Sequence, residues 1–214
     1  MHDKRTPTVS TARKLLPGLV GERATYRMMR NPVEGAGARD QGSHRLFWPL
    51  AAGDFVQAAR FLASHPRMVN VRDGNGWTPL FYTIQHRNTD FLSYLLALGA
   101  DVGAVDRLGW TPAMEAVRRH ANECLMVLLR HGADVSHRSP FGWTALHEAV
   151  PRGDVVGIRM LVMAGAPREA ETVFGQRPVD LLEACDHPEA LKWHIHDLLT
   201  RWTPKPILRV PGHE

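Results

Sequence analysis

The chain has 214 residues, 44% of them apolar and 22% charged, with a formal net charge of +4. Nothing approaches the roughly 18 consecutive apolar residues of a membrane span, and Lys4, Arg5, Arg13 and Lys14 interrupt any apolar core of signal-peptide type. The two cysteines, Cys124 and Cys185, share no metal-type spacing and are expected to be core or near-core thiols in a reducing, cytoplasmic compartment.

In chain order, residues 1–43 hold 8 basic and 4 acidic residues, while residues 44–214 hold 18 of each, so the whole excess charge lies at the N-terminal end. This segment is rich in Thr, Arg, Gly and Pro, and its weakly amphipathic stretch from Ala12 to Arg30 is broken at Pro17-Gly18. It reads as a flexible basic arm. A targeting or partner-induced helix is the alternative, though Asp3, Glu22 and Glu34 count against a mitochondrial address. Residues 44–72 follow, with Leu50-Ala51-Ala52-Gly53-Asp54 and Val69-Asn70 as their markers.

From there the sequence repeats. Gly-Trp-Thr-Pro stands at 76–79 and 109–112 and returns as Gly142-Trp143-Thr144-Ala145, a step of 33 residues each time, with Gly175-Gln176-Arg177-Pro178 continuing the count. Gly99-Ala100-Asp101-Val102, Gly132-Ala133-Asp134-Val135 and Gly165-Ala166-Pro167 keep the same step. Within a unit, Thr78-Pro79 and Thr111-Pro112 place a capping hydroxyl and then a proline at the first helical position, where no N–H is needed. An apolar run follows, then a polar break at Arg87-Asn88, Ala121-Asn122 or Gly153-Asp154. A second apolar helix carries Phe91-Leu92 and Leu95-Leu96, then Leu125 and Leu128-Leu129, then Ile158 and Leu161-Val162, and Gly99, Gly132 and Gly165 stop it with a left-handed residue. One helical pair cannot bury both its apolar faces; stacked units share them, with the small Ala116 and Ala149 between first helices.

The period and chemistry of these motifs resemble the ankyrin repeat family. The resemblance implies an all-α solenoid of about five helix-turn-helix units joined by short hairpin loops, at 44–72, 73–105, 106–138, 139–171 and 172–202. The first unit is degenerate and one residue out of register in its second half. The last is a closing unit in which Arg177 has lost the capping hydroxyl, but Leu191, Ile195, Leu198 and Trp202 keep a helical stripe behind Pro188. Residues 203–214 form a Pro-containing tail. The resemblance further implies a non-enzymatic protein-binding module that contacts its partner through hairpin positions and the concave side of the first helices.

At the hairpin position that varies freely in the family stand Trp77, Trp110 and Trp143 in succession. Two readings compete. The Trp row contacts a partner, as tryptophan does at interface hot spots, or it covers the next hairpin and serves inter-repeat packing. Before the Gly of each tip come Asn75, Leu108, Phe141 and Phe174, so the tips become apolar toward the C-terminal end. The first-helix positions expected to face the groove are Tyr82, Glu115 and Glu148, with Arg118, Arg119 and Arg152 one turn on. These arginines either pair with the Glu residues or are solvated, the commoner outcome for such pairs.

No catalytic pattern emerges. His147, in Thr144-Ala145-Leu146-His147, resembles the family's structural histidine, and Phe81, Met114 and Asp180 occupy its position elsewhere. His194 and His196 point to different faces of a predicted helix, and no phosphate-binding Gly pattern or nucleophile–base motif occurs, so no cofactor and no metal are expected. The expected partner is a protein that the chain blocks or scaffolds, inside a host cell if the chain is an effector. Alternatives are an adaptor that recruits a second protein through the arm or tail, and binding of nucleic acid or an acidic surface by the arm. The neutral array argues against a duplex-binding stripe. A monomer is expected, with self-association through an exposed Trp edge as the alternative.

Overall fold

A computed structural model describes residues 41–201, with the side chains of residues 41–44 excepted. The basic arm up to residue 40, Trp202 and the tail lie outside them. The described residues form nine α-helices and two 3-10 turns, with no strand. In order these are α1 (Gln41–Ala52), α2 (Phe55–Ser64), a 3-10 turn (Pro66–Asn70), α3 (Pro79–Gln85), α4 (Thr89–Ala97), α5 (Pro112–Arg118), α6 (Asn122–Arg130), α7 (Ala145–Ala149), α8 (Val155–Met163), a 3-10 turn (Pro178–Leu182) and α9 (Glu189–Thr200).

The helices stack as the repeat predicts. First helices lie against one another in the series α1, α3, α5, α7, and second helices in the series α4, α6, α8, α9. Between the layers Leu92, Leu95, Ala116, Leu125, Leu128, Ala149, Ile158 and Leu161 are fully buried. Each such Leu or Ile contributes about 1.5–3 kcal/mol of transfer free energy. Gly99, Gly132 and Gly165 have φ of 86, 80 and 87°, the left-handed turn that ends α4, α6 and α8 without a Cβ penalty.

The caps are less uniform than the sequence suggests. Asp54, Asn88 and Asp154 accept the N–H of Gln57, Phe91 and Gly157 at 2.8–2.9 Å, whereas Ala121, the residue before α6, gives it no side-chain cap. Among the Thr positions, the Thr111 hydroxyl accepts from the Met114 N–H at 3.3 Å. The Thr78 hydroxyl is buried without a partner. In the closing unit the first helix is reduced to the 3-10 turn Pro178–Leu182. There Arg177 turns its guanidinium on Asp180 and Glu169 instead of capping.

Candidate partner-binding edge

The hairpin loops are built from a second 33-residue series that the tetrad pattern passes over: Asp73, Asp106, Ser139 and Thr172. Each donates its backbone N–H at 2.9 Å to the carbonyl four residues on, closing the tip. Each also turns its side-chain oxygen inward. Asp73 Oδ1 accepts from the N–H of Asn75 and Trp77 at 2.8 Å, and Asp106 Oδ1 from Leu108 and Trp110 at 2.8 and 2.9 Å. Ser139 Oγ accepts from Trp143 N–H at 3.1 Å, and Thr172 Oγ1 from Phe174 and Gln176 at 3.2 and 3.3 Å. A short polar side chain that takes local N–H groups is the physical basis of such turns. The signal was present in the sequence as an acceptor four residues before each Trp.

Successive tips are tied together. The Arg107 N–H donates to the Asn75 carbonyl at 3.1 Å, and Val173 N–H to the Phe141 carbonyl at 3.0 Å. The equivalent donor between them would be residue 140, which is Pro140 and has no N–H. The middle junction is held otherwise, by His137 Nε2 on the Gly109 carbonyl at 2.9 Å and by close packing: a Cβ on Gly109 would lie 2.3 Å from Pro140 Cδ. Arg72 donates to the Val105 carbonyl and Arg138 to the Glu171 carbonyl, each reaching one repeat ahead.

The Trp rings sit behind these tips and are fastened to the array. Trp77 stacks on Phe81 with centroids 5.6 Å apart, and its Nε1 donates to Asp106 Oδ2 of the next hairpin at 3.3 Å. The Arg118 guanidinium lies over Trp110, 5.7 Å from the ring centroid. Trp143 is only 9% exposed, and its Nε1 donates to Glu148 Oε2 at 3.1 Å. Trp77 and Trp110 are half-buried. Asn75 is half-buried as well, whereas Leu108 and Phe141 are 50% and 55% exposed, and Phe174 is 52% exposed.

The first-helix residues expected on the groove are buried rather than open. The Tyr82 hydroxyl donates to Asp73 Oδ2 at 2.8 Å, and burial followed by the Asp73 charge raises its pKa far above the ordinary tyrosine value. Glu115 accepts from Arg118 Nε and Nη2, both at 2.7 Å, and from Arg119 Nε. Glu148 accepts from Arg152 Nε at 2.7 Å. Buried carboxylates with guanidiniums laid over them therefore replace the solvated face that general experience favours. Arg118 and Arg119 remain partly exposed, and Arg152 is exposed. Burial raises the Asp106 carboxyl above its usual value, against the opposing pull of the turn N–H groups.

His147 completes the turn network. Its Nε2 donates to the Gln176 carbonyl at 3.0 Å, leaving Nδ1 to accept from the Thr144 hydroxyl at 2.8 Å and Thr144 N–H at 3.2 Å. Burial lowers its pKa below 6.5. Among the described residues no group of three or more His, Cys, Asp or Glu lies together as for a metal. Cys124 is buried, with its thiol raised to about 11, and Cys185 is half-buried. No described helix is long and apolar enough to cross a membrane.

A family model for three copies of the ankyrin repeat matches residues 98–172, and a single-repeat model matches residues 75–107. No curated protein matches the chain. With the repeated turn, the paired helices and these matches in agreement, residues 75–172 are a run of ankyrin repeats.

Proposed function

We propose that this chain is a non-enzymatic module that binds a protein partner along its hairpin edge and so blocks or scaffolds it. Ankyrin repeats in general mediate protein–protein interaction. The observation that carries the reading is the row Leu108, Phe141 and Phe174, apolar side chains at equivalent tip positions, each at least half exposed. A soluble surface does not need three large apolar groups in register, and an exposed apolar row marks an interaction site. The Trp residues have a double part. Trp77 and Trp143 brace the tips from behind, and Trp110 lies half-buried under the Arg118 guanidinium. Tips tied to each other, by backbone bonds at two junctions and by His137 and Pro140 at the one between them, lose little freedom on binding, which favours affinity from a small number of anchors.

The test is capture from native lysate with the full chain and with Leu108→Ser, Phe141→Ser and Phe174→Ser combined, once circular dichroism and melting show the variant folded. A second variant, Met126→Ser with Val156→Ser, removes exposed apolar groups from α6 and α8 instead. A specific protein lost by the tip variant and kept by the helix variant supports the edge. Equal capture by both variants, or loss by the helix variant alone, moves recognition elsewhere.

A further inference from the structure

The tip row has a spacing and a charge, and together they specify what can lie on it. First helices of successive units lie against one another, and helices packed in this way stand about 8–10 Å apart, so equivalent tip residues recur at about that step. An α-helix rises about 1.5 Å per residue, so side chains seven residues apart on one face stand about 10.5 Å apart. A strand offers same-face side chains at about 6.8 and 13.6 Å, on either side of the second tip. The row Leu108, Phe141, Phe174 therefore matches a helix at i, i+7 and i+14 and not a strand.

The charges beside the row have one dominant sign. Arg72, Arg107 and Arg138 are exposed at the hairpins, against the exposed acids Glu169 and Glu171, of which Glu169 is paired with Arg177. Asp73 and Asp106 are turned inward to the tip N–H groups, Tyr82 and Trp77. Among the described residues Arg107 makes no ion pair, and it adjoins Leu108. A partner helix with acidic residues flanking its apolar stripe gains attraction there, and a basic one is repelled.

We propose that the segment seated on the tip row is an acidic amphipathic α-helix of the partner, with large apolar side chains at seven-residue intervals. This rests on the reading of the tips as the recognition edge. The experiment selects binders to the full chain from a displayed library of random peptides about 20 residues long, about 30 Å as a helix. Binders are then sorted by whether the folded triple Ser variant, or Phe141→Ser alone as the milder change, loses them. The expected tip-dependent binders carry apolar residues at seven-residue steps with Asp or Glu between, become helical on binding, and weaken at least tenfold with Arg107→Glu. Tip-dependent binders that are Pro-rich, extended or basic overturn the helix while leaving the edge intact. Binders that ignore the tip substitutions overturn the edge itself, and the helix with it.

Discussion

The position seven residues after the tip acceptor is Leu80, Ala113, Leu146 or Val179, and the residue after it shows what one side chain changes. His147 satisfies both Thr144 and the Gln176 carbonyl, whereas its counterpart Phe81 has no ring nitrogen and stacks on Trp77 instead. The Thr78 hydroxyl is left without a partner, whereas Thr111, beside Met114, accepts from the backbone N–H. His147 also makes stability depend on pH. Its folded pKa lies below 6.5 because burial disfavours the imidazolium. Below pH 6.5 the unfolded chain takes up a proton that the folded chain refuses until a lower pH. Stability is thus fully present above 6.5 and falls as pH drops through the folded value. His147→Gln is expected to cost about 1–3 kcal/mol at pH 7.5, through loss of buried hydrogen bonds, and to flatten the slope of stability between pH 6.5 and pH 5. Urea melts of both proteins at several pH values measure this; an unchanged slope would show that another group sets it.

At the scale of the helix, the caps explain an unevenness among otherwise equivalent units. Ala121 has φ −88° and ψ 63°, close to the −78° and 77° of Asp154 and the −83° and 78° of Asp54, both of which cap. The backbone at Ala121 is already arranged for a side-chain acceptor that alanine lacks. Ala121→Ser should therefore stabilise α6 by about 1 kcal/mol and raise Tm by about 2–4 °C. A Tm that stays level or falls would mean that the buried surroundings of residue 121 resist the hydroxyl. The helices themselves were legible because proline at the first position (Pro79, Pro112), glycine past the last (Gly99, Gly132, Gly165) and an apolar pair between them (Leu95-Leu96, Leu128-Leu129, Leu161-Val162) are local signals that repeat along the chain. Less visible was the fate of the groove residues. Glu115 and Glu148 occupy positions where spacing alone cannot distinguish a solvated charge from a buried one. Only the neighbouring Arg118, Arg119, Arg152 and Trp143 Nε1, brought together by folding, decide it. The Trp row was found by its period, but its mixture of bracing and exposure depends on the next hairpin, which a single unit does not contain.

Across the described array, stability is expected to be carried by nearest neighbours, since the main helix packing runs within a unit and between adjacent units. The closing unit is the weak link. Its first helix is one 3-10 turn, and α9 packs chiefly on that turn and on α8. A core truncation should therefore have different consequences at the two places. Leu128 and Ile195 are both fully buried, and cutting either to Ala removes a comparable amount of apolar side chain, at about 2–5 kcal/mol. In the central unit that loss is felt through interfaces on both sides, so Leu128→Ala should lower the single melting transition of the array. In the closing unit the same loss removes one of the three buried apolar side chains of α9, Ile195, Leu198 and Leu199, from an element with a neighbouring repeat on one side. Ile195→Ala should then release α9 locally, with amide exchange accelerated in residues 189–200 and little change in the protection of α4 and α6. Hydrogen exchange followed by mass spectrometry reads both variants at once. If Ile195→Ala instead accelerates exchange evenly along the chain, the closing unit is fully coupled to the array and the nearest-neighbour account fails. Because Phe174 belongs to this unit and Phe141 to the one before it, the same experiment shows whether the partner-binding row remains one rigid edge when the end of the solenoid opens.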